Sequence, residues 1–170
     1  MSLLEKLVPA QANNDYRGSP VALWTFCLLA AVITGRSLIH FLKADSGVNS
    51  IATIILFSGD PDPNRVIYLF SSLWGTQQVI MAMIYAVVLL RYRNLVPLMY
   101  LLLGVEVVFR MTAGTLHPLT EEYYLRTPPG KIGNLPLLGL SVVMLFLSLR
   151  TLRTRNPARS GDEPDATSES

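Results

Sequence analysis

The sequence predicts an all-α protein, a bundle of four membrane-spanning helices, on three observations. Four stretches reach the length a helix needs to cross a bilayer, ~20 mainly apolar residues. Hydrophobic residues make up 51% of the 170-residue chain and charged ones 15%, and because both ends are polar the interior is more apolar than that average. Between the stretches lie polar or Pro/Gly-rich connections, one of them only Arg91-Tyr92-Arg93-Asn94. The lipid bilayer is therefore the first expected partner.

Composition also excludes. A net charge of +2, with no interleaving of basic and aromatic residues, gives no footprint for nucleic acid. Cys27, the single cysteine, has no partner for an internal disulfide and no Cys or His at metal-ligand spacing. It reads as a small buried hydrophobe.

Residues 1–19 form a polar N-terminal segment, in which Leu3, Leu4, Leu7 and Val8 suit a short interfacial amphipathic helix. Arg17 followed by Val21–Thr34 imitates a signal peptide. Gly35-Arg36-Ser37 stands where a small-residue cleavage site belongs, so the segment is expected to remain as an uncleaved first span. That span covers 20–43, with Pro20 where a first helical turn tolerates proline. The second covers 66–90 and the third 95–117, and their short connection predicts an antiparallel hairpin. The fourth, 132–149 with Pro136 near its start, offers only Asn134 and Ser141 as polar residues and reads as a packing helix. Residues 150–170, basic first and then acidic, lack apolar periodicity and are expected to be disordered.

The loops differ in kind. In 44–65, turn-forming residues flank Ser50–Phe57 (SIATIILF), a β-branched run too short to span. It is expected at the interface or folded back over the bundle mouth. In 118–131, Tyr123 and Tyr124 suit the headgroup level. Lys6, Arg17, Arg91, Arg93, Arg150, Arg153, Arg155 and Arg159 flank one side of the bundle, against Lys43, Arg65, Arg126 and Lys131 on the other, eight to four. The positive-inside rule then places both termini in the cytoplasm, the spans in the cell (plasma or inner) membrane and both long loops outside.

Within the spans the polar residues converge. The third carries Glu106 and Arg110 one helical turn apart, within pairing reach. The first carries Arg36 and His40 at the same spacing, and the second carries Trp74, Gln77 and Gln78. At ~1.5 Å per residue, Gln77, Gln78 and Glu106 fall near the membrane centre. Arg36, Trp74 and Arg110 fall roughly 6 Å toward the loops, and His40 about 12 Å. The expected result is a polar cone opening outward, closed below by apolar packing.

Two arginines face one glutamate, and an unpaired buried cation is expensive. Water, Asp45 or Asp60 folding in, or a bound anion would each answer it. Arginine's planar fork suits carboxylate and phosphate, so an anionic small metabolite or lipid headgroup is the expected ligand of Glu106, Arg110, Arg36, His40, Gln77, Gln78 and Trp74. The same residues also suit a network that only fixes helix register. No cofactor or metal is expected. His117 precedes Pro118 at a helix exit and differs in depth from His40, which counts against haem. Asp60-Pro61-Asp62-Pro63-Asn64 opens like a calcium loop but has Arg65 in place of glycine and no closing glutamate. No catalytic or nucleotide fingerprint is present. Ala31-x-x-x-Gly35 and Ser71-x-x-x-Gly75 let helices approach closely, within the bundle, in a homodimer or in a larger membrane complex.

In size, in its four spans and in Arg36-x-x-x-His40 toward the outer end of the first, the chain resembles the small four-helix bacterial membrane proteins of the DoxX-like group over roughly residues 20–150. The resemblance implies a bacterial inner membrane and, for some members, association with quinone-linked or redox complexes. It gives no residue a role. Two functions are expected in consequence: a non-enzymatic binding or accessory subunit, or an intramembrane enzyme or redox partner for a lipid-soluble substrate such as a quinone.

Overall fold

The computed structural model describes residues 2–150; the tail beyond Arg150 lies outside the described residues. Among them the helices are α1 (Leu3–Leu7), α2 (Pro20–Leu42), α3 (Asn64–Arg91), α4 (Val96–Leu116) and α5 (Pro129–Leu149), with 3-10 turns at Arg93–Leu95 and Glu121–Tyr123. The last four are long and apolar enough to cross a membrane, and the chain is a multi-pass, all-α four-helix bundle. The 28 residues of α3 run roughly 42 Å at ~1.5 Å each, longer than a ~30 Å hydrocarbon core, so this helix tilts or projects beyond it.

Local chemistry accounts for the helix starts. Prolines occupy the first turns of α2, α4 and α5, where no N–H is needed. The Asp62 carboxylate, two residues before α3, accepts from the N–H of Asn64, the first residue of the helix, at 2.9 Å. Ser2 and Glu5 close a capping box over α1. Two helices start earlier than the sequence suggests, α3 at Asn64 and α5 at Pro129. Pro128-Pro129-Gly130 thus opens a helix instead of ending a loop, and Pro136 falls inside α5.

Helix pairing differs from the expected hairpin. α2 packs chiefly on α3 and α4 chiefly on α5, α2 also reaches α5, and α3 and α4 touch little despite their short connection. A four-residue turn holds two helix ends together but does not decide which faces meet. Where the chain turns, Phe26 of α2 packs edge-on against Tyr85 (5.2 Å between centroids) and Tyr100 (5.4 Å). Ala22, Ala30, Val88, Val96 and Met99 complete this core, and the Tyr100 hydroxyl donates to the Ala22 carbonyl at 2.7 Å. Farther from the turn α4 separates from its neighbours, and every residue from Met111 to Thr120 is exposed.

The N-terminal segment closes the turn end. The Asn13 N–H donates to the Asn94 side chain at 2.9 Å and the Asn94 N–H returns to the Asn13 carbonyl at 3.3 Å. The Ser19 N–H donates to the Leu147 carbonyl at 3.1 Å, and Lys6 Nζ to the Leu149 carbonyl at 3.2 Å. Burial pushes the Tyr16 phenol up to about 12, which keeps it a donor, to the Ser19 carbonyl at 3.1 Å.

The long loop 43–63 folds over the opposite end. Ser46, Gly47 and Thr53 take positive φ values of 46°, 72° and 57°, which turn the chain back so that Val48 and Thr53 are buried. Thr53 Oγ1 donates to the Arg126 carbonyl at 2.6 Å, and the Leu125 N–H to the Thr53 carbonyl at 2.8 Å. Ile54 forms a single antiparallel bridge with Tyr124. The two long loops are thereby stitched into one roof, and the run SIATIILF supplies the seam.

Candidate functional site

The polar residues of α2 and α3 meet beneath this roof. Gly75 permits it: a Cβ there would stand 2.7 Å from the His40 carbonyl carbon and 2.8 Å from the Phe41 nitrogen, so α2 and α3 cross backbone to backbone. Side chains one turn to either side are brought together. Arg36 Nη2 donates to Gln78 Oε1 at 3.0 Å, its guanidinium lies 5.5 Å from the centre of the Trp74 ring, and Ser37 reaches the same Gln78 oxygen at 3.5 Å. His40 packs edge-on against Trp74 at 5.0 Å.

His40 also ties the cluster to the roof. Its Nδ1–H donates to the Ser46 carbonyl at 2.7 Å, and Ser71 Oγ donates to the same oxygen at 2.9 Å. The site needs Gly47 twice over, for its φ of +72° and because an added Cβ would lie 2.8 Å from the His40 ring. Asp45 holds the loop from the other side, accepting from the Ser50 N–H at 2.8 Å and the Gly47 N–H at 3.2 Å. Its partial burial pushes its pKa up, but these hydrogen bonds and the Lys43 charge outweigh that and hold it below the ordinary carboxylate range.

On α4, Arg110 Nη2 and Glu106 Oε2 pair at 2.5 Å, and Arg36 stands within electrostatic reach of both. Arg36, with Trp74 and Gln78 of α3, therefore shares one charged cluster with the Glu106–Arg110 pair of α4. Gln77, expected in the same set, faces outward and is exposed, because it lies 100° round α3 from Gln78. His117, at the end of α4, is exposed as well. Among the described residues no three His, Cys, Asp or Glu side chains gather as a metal site would require.

Two features of the cluster point to chemistry. Its charges sum to +1, two guanidiniums against one carboxylate, and the acidic loop residues do not correct this: Asp45 is engaged with loop amides and Asp60 is exposed. Among the described residues three buried side-chain polar atoms also lack a hydrogen-bond partner, Gln78 Nε2, Arg110 Nε and, on α5, Asn134 Oδ1. The two in the cluster are both donors. Gln78 cannot exchange its nitrogen for its oxygen without breaking the bond from Arg36.

The residues that the sequence alone did not single out are Ser37, Ser46, Gly47, Ser71 and Thr53. Four of them carried a signal of another kind: Ser46 and Gly47 as a turn, Thr53 within the run SIATIILF, and Ser71 as part of the small-residue pair with Gly75. A second recess, of about 460 Å³, lies at the turn end under the N-terminal segment and includes Lys6, Arg17, Glu5 and Asp15. Its two cations face two anions, and Arg17 and Asp15 pair at 2.7 Å, so it has no charge to answer. In comparisons with known proteins, no family model, no curated protein and no solved structure matches the chain.

Proposed function

We propose that this multi-pass protein is a non-enzymatic binding or accessory subunit of the cell membrane, with both termini cytoplasmic, that holds an anion in the cluster of Arg36, Gln78 and Arg110. The observation that carries this reading is the pair of unpartnered buried donors in a site of net charge +1. A buried donor left unsatisfied costs about 1–3 kcal/mol. An anion ~4 Å from a guanidinium gains roughly 4 kcal/mol at an effective dielectric of about 20, so it answers both the charge and the donors. Water would satisfy the donors and solvate the charge but would not neutralise it. Glu106 has the role of orienting Arg110, while Trp74 packs on Arg36 through its ring face. The roof covers the site at His40, which is 5% exposed.

Native mass spectrometry of gently detergent-purified protein tests this. The expected spectrum shows a retained anionic adduct that is lost from Arg36→Gln and Arg110→Gln, each still folded by circular dichroism, and kept by Glu106→Gln. A bare wild-type chain, or an adduct indifferent to both arginines, would overturn the reading and leave the cluster as a register-fixing network.

A further inference from the structure

We infer that a second copy of this chain packs along α4, across a two-fold axis parallel to the membrane normal, with Glu106 of each copy beside Arg110 of the other. The inference goes beyond the anion reading and needs only the charged pair of α4. Toward the roof α4 has no close neighbour, and every residue from Met111 to Thr120 is exposed. Lipid can cover most of that surface. Its apolar side chains suit hydrocarbon, and the hydroxyls of Thr112 and Thr115 are spent on carbonyls of the same helix, at 2.9 and 2.7 Å. Glu106 is the exception. Its side chain is 45% exposed within a span, and among the described residues Arg110 is its sole ion-pair partner. A half-exposed carboxylate in hydrocarbon calls for a further polar partner.

The residues around Glu106 form a seam of the kind that joins two helices. Leu102, Glu106, Phe109, Ala113 and Leu116 follow at steps of four, three, four and three, the spacing at which a pair of helices supercoils with side chains interlocked. All five are exposed, Phe109 at 70%, and Ala113 is small enough for two backbones to approach. Leu103 and Val107 are buried against the bundle, so the bundle's own packing leaves the seam free. Arg110 stands at its edge, about 40° round the helix from Glu106. In a membrane, two copies inserted the same way are related by an axis along the normal, so identical residues meet at one depth. Glu106 then differs in depth from the partner's Arg110 by one turn, about 6 Å, which two long side chains span. The pattern Glu-x-x-x-Arg is thus complementary to itself. The two carboxylates share one level, each bridged by arginines from both chains, in a ring of net charge zero. A partner of other sequence would have to place a cation at this depth independently, whereas a second copy does so by symmetry. Arg36 stays outside the ring as the cation that an anion answers.

The test is disulfide cross-linking with copper phenanthroline in native membranes, on single-cysteine variants in a Cys27→Ser background. The seam brings equivalent Cα atoms of two copies within the ~7 Å that a disulfide tolerates. Phe109→Cys and Ala113→Cys are each expected to give covalent dimer in about tenfold higher yield than Met111→Cys, which is also exposed but lies on the opposite face of α4. Adding Glu106→Gln to Phe109→Cys is expected to cut the yield roughly fivefold. Exchanging the charges in one chain, Glu106→Arg with Arg110→Glu, keeps the pattern self-complementary and is expected to restore it, which a merely misfolded variant would not do. No cross-link at Phe109→Cys or Ala113→Cys, or one equally strong at Met111→Cys, would overturn the dimer face. A yield indifferent to Glu106→Gln, or not restored by the exchange, would overturn the reciprocal pairing. The adduct spectrum decides the anion site separately.

Discussion

Gly75→Ala isolates the helix crossing on which the cluster depends. The added methyl would lie 2.7 Å from the His40 carbonyl carbon and 2.8 Å from the Phe41 nitrogen, where ordinary contact is 3.4–4 Å. Neither neighbour is the end of a flexible side chain, so α2 and α3 must move apart by a large fraction of an ångström. Overpacking of this kind costs about 1–3 kcal/mol. Against it stands the gain from replacing a helical glycine by alanine, roughly 0.5–1 kcal/mol. The net expectation is a loss of up to about 2.5 kcal/mol. Gly35→Ala is the matched control: it sits in α2, is exposed and would meet nothing within 4 Å, so it keeps the propensity gain without the clash. The difference between the two variants is then the clash alone, about 1–3 kcal/mol. Reversible unfolding of both in mixed micelles, by titration with a denaturing detergent, measures it. Equal stabilities, within about 0.5 kcal/mol, would refute the close crossing at Gly75.

Two further outcomes follow from the roof and the orientation. Asp45 has its folded-state pKa held below the ordinary value of about 3.9, so its hold on Gly47 and Ser50 is complete above that value and lost as pH falls through the depressed one. Hydrogen exchange of residues 46–53, corrected for intrinsic rate, should accelerate below about pH 4 in the wild type. Asp45→Asn should remove that dependence, and an unchanged profile in the variant would show that another group controls the roof. For orientation, in a Cys27→Ser background a membrane-impermeant maleimide is expected to label Ser58→Cys in intact cells, and Arg93→Cys only after permeabilisation. The opposite pattern would invert the proposed topology.

The spans were legible because a bilayer imposes a local requirement: enough consecutive apolar residues, written in one stretch of chain. Pro20 marks a helix start for an equally local reason. The polar set was legible as a list, since an ionisable residue such as Glu106 or Arg110 inside an apolar span stands out wherever it ends up facing. Its internal geometry was not. Arg36 and Gln78 are 42 residues apart and Thr53 and Arg126 are 73 apart, and no periodicity links such pairs. Gln77 and Gln78 look alike in sequence, yet a rotation of 100° puts one on Arg36 and the other outside. The two small-residue motifs separate in the same way: Ser71 and Gly75 face α2 and the roof, whereas Gly35 meets nothing.

By itself the sequence determined that this is a multi-pass helical bundle with a few ionisable residues set inside its spans, because bilayer thickness and the cost of charge in hydrocarbon act residue by residue. Only the tertiary structure decided that α2 pairs with α3 and α4 with α5, that the loops roof the cluster, and that α3 and α4 part beside it. Those outcomes depend on the rotation of each helix about its axis and on backbone contacts such as Gly75 against His40, which exist only once the helices have met.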